Sequence, residues 1–213
     1  MKYRRFNQRN RALTLIEVLV IVVVLGFLIL ILFPWPEPKA QKKTARLQCI
    51  NNLKQVGLAY RIWAGDNGDK YPMAVSVTNG GVMEILSQNA WMTYLVMSNE
   101  LSTPKILICP VDTERQPAAT NFSSGLKYKI SYFVGLDASP SDPEVLLSGD
   151  DNFAVGGVPV KPGLLDLASN APITWTAARH HFAGNVALGD GSVQQMSNSG
   201  LTNLLQQTGL AIP

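Results

Sequence analysis

The 213-residue sequence has no nucleophile elbow, no zinc-type spacing of Cys and His, and no glycine-rich phosphate loop. The short signatures of hydrolase, zinc and nucleotide chemistry are therefore missing. No internal repeat and no long low-complexity stretch appears, which sets repeat architectures aside. Acidic residues are absent before Glu17, while Lys2, Arg4, Arg5, Arg9 and Arg11 all fall in that stretch. Cysteine is scarce as well: Cys49 and Cys109 are the only two.

The lack of early acid explains most of the chain's positive character. Lysine and arginine total 18 against 15 acids, a formal charge of +3. Setting aside the leader's five leaves thirteen basic residues, so the remainder is slightly acidic in side-chain charge. The basicity belongs to the leader, and a nucleic-acid partner is not expected.

What is present is a long apolar run. Leu13 to Phe33 is 21 residues, interrupted only by Thr14, by Gly26 and by one carboxylate, Glu17. As a helix it reaches about 31 Å, the thickness of a bilayer's hydrocarbon core. Basic residues before a span hold that end in the cytoplasm, which places the rest of the chain across the membrane. Glu17 asks for a partner, because an ionisable group in a span costs a few kcal/mol when unpaired. A cut between Ala12 and Leu13 would create an ammonium four residues from Glu17, able to pair with a neighbouring chain's acid.

Ala12-Leu13-Thr14-Leu15-Ile16-Glu17-Val18-Leu19-Val20 resembles the processing and methylation signal of type IV prepilins and type II secretion pseudopilins, with Ala12 where that family usually has Gly. The resemblance implies cleavage after Ala12 by a prepilin peptidase/methyltransferase, N-methylation of Leu13 and an assembly role for Glu17. It also implies an α+β, pilin-like fold: a long N-terminal helix, membrane-spanning in its first half, packed on a small antiparallel sheet. The implied partners are other pilin or pseudopilin subunits, an inner-membrane assembly platform and membrane lipid. The implied location is the bacterial inner membrane, single-pass, with a periplasmic C-terminal domain.

Domain limits follow as a leader over 1–12, a span over 13–33, a Pro-rich break over 34–38 and one domain over 39–213. Pro34, Pro36 and Pro38 disfavour an unbroken helix, and Trp35 suits the membrane interface. From Lys39 to Ala64 the period predicts a helix whose apolar stripe is Leu47, Ile50, Leu53, Gly57, Tyr60 and Ala64. Its segment Cys49-Ile50-Asn51-Asn52-Leu53-Lys54-Gln55 resembles a pseudopilin-like subfamily. Cys49 and Cys109 would face an oxidising compartment, where a disulfide and two buried thiols both remain open.

Gly65 to Pro72 reads as a cap and turn; Asp66 and Asp69 could offer oxygens to Ca²⁺, but the loop alone supplies too few, and no other cofactor is expected. A second helix is predicted over Val82 to Glu100, a short strand or extended segment over Lys105 to Pro110, and strands over Lys127 to Leu136 and Glu144 to Ser148. Gly149 to Asn152 reads as a polar turn, Phe153 to Asn170 as a surface loop, and Leu201 to Gln207 as a last helix capped by Ser199 and ended by Gly209.

Asp190-Gly191 between Val186, Leu188 and Val193 signals a β-hairpin. With nine residues between His180 and Asp190, the segment resembles the H-X9-DG domain associated with prepilin-type signals. His180 is expected to hydrogen-bond across the hairpin base, with Asp190 and Gly191 setting the turn. His180, His181, Asp190 and Ser192 offer the residue types of a catalytic or metal site, yet no motif organises them. The expected function is therefore structural and non-enzymatic: a pseudopilin, with a type IV pilus subunit or a membrane-anchored periplasmic binding protein as alternatives.

Overall fold

The computed structural model describes residues 13–32, 38–167, 171–205 and 209–212. The leader over 1–12, with the processing residue Ala12, and residues 34–37 of the expected break over 34–38 lie outside these residues. Two compact units divide the chain, 1–41 and 42–213.

Helix α1 is Leu15–Leu32, 18 residues of almost purely aliphatic sequence with every side chain exposed. At 1.5 Å per residue it spans about 27 Å. It is long and apolar enough to cross a membrane. A helix apolar all round has no solvent face, so it needs lipid or other helices around it.

Helix α2, Pro38–Asp66, resumes at the third proline, a tolerated first-turn position because that N–H has no helical partner. Its buried stripe runs through Cys49, Leu53, Val56, Tyr60 and Trp63, whereas Leu47 is 52% exposed. The expected stripe is thus rotated at its start. Cys49 is bridged to Cys109, and Asn52 donates its Nδ2 to the Ile108 carbonyl at 3.1 Å, which together turn the helix toward that loop.

The expected single helix over 82–100 is three short ones: α3, Leu86–Asn89; α4, Met92–Val96; α5, Ser98–Leu101. Leu86, Ala90, Tyr94, Met97 and Leu101 are still buried at helical spacing, so the period survives although the backbone ladder is interrupted. Pro104–Leu107 is a 3-10 turn and no strand follows it before Cys109. Pro104 stands at the turn's start and Thr103 Oγ1 accepts the Lys105 N–H, which favours a turn over an extended run.

Six strands make an all-antiparallel sheet: β1 Tyr132–Gly135, β2 Leu146–Asp150, β5 Gly163–Asp166, β7 Gly184–Leu188, β8 Val193–Met196 and β9 Gly209–Ile212, in the order β5-β9-β1-β2-β7-β8. A second sheet orders β4 (Val158–Pro159), β3 (Phe153–Val155) and β6 (Ile173–Trp175). The expected loop over 153–170 therefore holds three short strands. Gly209, expected to end the final helix α6 (Asn198–Leu205), instead opens β9.

Both faces of the larger sheet are covered. Tyr132, Val134, Leu147 and Ala187 join the cluster around α2; Phe133, Leu146, Val186 and Leu188 join a second cluster with Phe153, Trp175 and Leu201. Edge-to-face rings tie the second cluster together, Phe133 to Phe153 at 6.0 Å and Phe153 to Trp175 at 6.1 Å. A helix packed on an antiparallel sheet, the α+β class expected from sequence, is the architecture of residues 42–213.

Candidate functional site

Three candidate regions come out of the fold: the start of α1, the β7–β8 turn and a buried polar cluster. At the first, Thr14 and Glu17 cap α1 reciprocally. Glu17 Oε2 accepts the Thr14 N–H at 2.8 Å and its hydroxyl at 2.9 Å, while the Glu17 N–H points at Thr14 Oγ1 at 3.4 Å. This is the capping-box arrangement. Its signal, Thr-x-x-Glu before an apolar run, is plain in the sequence, and the role of Thr14 was the part missed. Leu13 lies just before the helix, exposed.

At the β7–β8 turn, Asp190 Oδ1 accepts the Ser192 N–H at 2.7 Å and Gly191 takes φ 82°. Glycine serves there because an L side chain rarely adopts that region. The turn seats on α2: a Cβ at Gly57 would stand 3.1 Å from the Gly191 carbonyl oxygen. Tyr71 donates its hydroxyl to the Gly189 carbonyl at 2.7 Å, fixing the same turn to the end of α2.

His180 does not bond across this hairpin. It belongs to a left-handed run in which His180, His181 and Phe182 have φ of 50°, 50° and 58°, a conformation costing about 1–2 kcal/mol per residue. The run carries His180 into the interior, where Nε2 lies 3.3 Å from Cys109 Sγ and 3.6 Å from Asp150 Oδ2. Asp190 and Ser192 stay with each other at the turn, so the four residues offered as a site are split between two places. Burial, together with the nearby Arg46, Arg179 and His181, lowers the His180 pKa to about 4. At neutral pH the ring is uncharged, and its contact with Asp150 is no ion pair.

The third region was read as a polar turn. Asp150, Asp151 and Asn152 are instead buried. Arg179 pairs closely with Asp151, lies 3.5 Å from Asp112 and donates to the Ser131 carbonyl at 2.9 Å. Arg115 reaches Asp151 at 2.8 Å and Asp112 at 3.1 Å. Burial alone would raise the Asp112 pKa, but Arg179, the Ser131 hydroxyl and Arg115 outweigh it and hold the carboxyl below the usual range. Asp150 goes the other way: burial lifts it to about 6 against the pull of Arg179 and Asn185. Asn185 donates its N–H and its Nδ2 to Asp150 Oδ2 at 2.8 and 2.9 Å.

Above the cluster opens a cleft of about 340 Å³ lined by Asp112, Arg115, Asp151, Asn152, Thr176 and Arg179. Within it Asp112 and Asp151 are paired with Arg115 and Arg179. Sequence reading missed the cluster because its arginines lie 28 and 36 positions from Asp151. Cys49 and Cys109 form a disulfide with Cα atoms 5.1 Å apart, fastening α2 to the loop that leads to Asp112. In the Gly65–Pro72 turn, Asn67 Nδ2 donates to the Trp63 carbonyl at 2.8 Å and closes the end of α2; Asp66 and Asp69 are exposed there.

The profile of the Prokaryotic N-terminal methylation motif matches residues 7–33. That signal supports a pilin- or pseudopilin-type subunit, anchored through its apolar helix, processed by a prepilin peptidase and assembled with other pilin-type subunits. No curated protein and no solved structure matches the chain.

Proposed function

We propose that the chain is a pseudopilin: a non-enzymatic structural subunit of a type II secretion-like filament, held in the bacterial inner membrane with residues 39–213 periplasmic until assembly. The observation that carries this reading is the methylation motif over 7–33, with Glu17 on the first turn of an all-apolar helix. Cleavage after Ala12 gives Leu13 a free amine for methylation. In an assembling bundle that ammonium approaches a neighbour's Glu17, offsetting the cost of an unpaired acid among apolar helices. The helix itself trades lipid for neighbouring helices with little change in apolar shielding.

The resemblance to the H-X9-DG subfamily through His180, Asp190 and Gly191 favours a pseudopilin over a type IV pilus subunit. The seating of that turn on α2 supports a structural role for Asp190 and Gly191. A second reading, a membrane-anchored binding protein that borrows the prepilin signal, draws on the cleft beside Arg115.

The test is mass spectrometry of the native amino terminus combined with Glu17→Ala in an assembly assay. The expected terminus is Leu13 bearing one methyl group, and the variant inserts into the membrane without joining filaments. An intact Met1 together with normal assembly of the variant overturns the proposal.

A further inference from the structure

Cys49, Cys109 and His180 are all buried, and one donor atom from each lies within 4.8 Å of the others. His180 Nε2 stands 3.3 Å from Cys109 Sγ and 3.6 Å from Asp150 Oδ2. Donors bound at about 2.0–2.3 Å to one tetrahedral cation are roughly 3.3–3.8 Å apart, so the separation of His180 Nε2 from Cys109 Sγ already suits a shared ion. The two sulfurs, now bonded to each other, are too close and must separate on reduction. We propose that the reduced protein holds a divalent cation of the Zn²⁺ class at Cys49 Sγ, Cys109 Sγ and His180 Nε2, and that the disulfide is the closed, metal-free state of the same site.

The chemistry of the donors selects the ion. Two thiolates and an imidazole suit zinc-like cations, whereas Ca²⁺ and Mg²⁺ require oxygen. The carboxylate beside His180 is itself held in place, since Asn185 grips Asp150 Oδ2 with two hydrogen bonds. The other carboxylate oxygen, Oδ1, is buried with no hydrogen bond, its nearest cation Arg179 Nη1 at 4.0 Å. The left-handed backbone at His180 directs the ring inward, while its neighbour His181 remains exposed. The three donors come from α2, the loop after the 3-10 turn and the left-handed run, so the ion would tie together the parts the disulfide now ties.

The two states interconvert with a balanced exchange. A dithiol reductant breaks the S–S bond, supplying two electrons and two protons and leaving as its own cyclic disulfide. The cation then displaces both thiol protons to form two metal–sulfur bonds. A small disulfide oxidant reverses this: it takes two electrons from the two thiolates and, with two protons, leaves as two thiols, so that S–S forms and the cation is released.

The experiment uses the full chain in detergent micelles, reduced with dithiothreitol, desalted without oxygen and titrated with Co²⁺ alone. Expected are thiolate-to-cobalt charge-transfer bands and strong visible d–d bands that saturate at one Co²⁺ per chain and disappear on adding Zn²⁺. The oxidised chain shows neither. His180→Ala shifts the d–d bands and weakens Co²⁺ binding about tenfold or more. Independently of any variant, Zn²⁺ slows modification of the two thiols in the reduced wild type about tenfold or more. Absence of charge-transfer bands, equal Co²⁺ binding by the oxidised chain, bands unaffected by His180→Ala in a folded variant, or thiols equally reactive with and without Zn²⁺ would each overturn the proposal.

Discussion

Removing the disulfide by the paired change Cys49→Ala and Cys109→Ala tests how residues 42–213 are held together. The bridge spans 60 positions. In the chain-entropy treatment, closing a loop of that length withdraws about 14 cal/mol/K from the unfolded ensemble, or about 4 kcal/mol at 25 °C. For a unit of this size about 2–4 °C of melting temperature accompanies each kcal/mol, so the variant should melt about 8–16 °C below the wild type. Circular dichroism of the full chain in detergent, with a chelator present so that no metal replaces the cross-link, gives the measurement. Because the loss acts chiefly on the unfolded chain, the urea m-value should rise as that ensemble expands. A variant melting within about 2 °C of wild type with the same m-value would refute the reasoning. The loop from α2 to Cys109 would then be held by packing alone.

Arg179→Met leaves Asp151 and Asp112 without their buried cation and should cost about 3–5 kcal/mol in urea unfolding; adding Asp151→Asn should recover part of the loss, and a loss below about 1 kcal/mol would contradict the cluster's role. The Asp112 carboxyl is held below its unfolded value, so its stabilisation is complete above that value and disappears as pH falls through the folded one. The stability gap between wild type and Asp112→Asn should therefore shrink on acidification below about pH 4, as followed by urea unfolding across pH. Gly57→Val pushes a branched side chain against Gly191 and should cost about 1–3 kcal/mol. Gly65→Ala, in the same helix with nothing within 4 Å of its Cβ, should instead add about 0.5–1 kcal/mol; thermal melts distinguish the pair.

Local chemistry made parts of this fold legible. The period of α2 and the Asp190-Gly191 turn each depend on neighbours a few residues away, and both elements occur where the sequence places them. What failed depends on distant partners. The stripe of α2 turns on Cys109 and the Ile108 carbonyl, so apolarity alone put Leu47 on the wrong side. β3, β4 and β5 hold only three, two and four residues, too few for a period-two pattern to emerge. β9 is a strand because β1 and β5 flank it. Three polar residues in a row at 150–152 look solvent-exposed until Arg115 and Arg179 arrive from elsewhere in the chain. His180 was expected at the hairpin because nine residues separate it from Asp190; the left-handed run sends it to Cys109 instead.

The acid in the apolar helix also means something different once Thr14 is considered. A bare carboxylate in a span would need rescue by a partner. Glu17 is already bonded through Oε2 to both the backbone N–H and the hydroxyl of Thr14, and it sits at the helix end where negative charge is favourable. Among the described residues, Oε1 takes no hydrogen bond. The helix therefore holds its own acid at one oxygen and leaves the other for the neighbouring ammonium of the proposed assembly. Thr14 tethers the carboxylate against the first turn, so less side-chain freedom is lost when a neighbour binds it. In this view pairing between subunits completes a half-satisfied carboxylate, and the preorganising contact is Thr14.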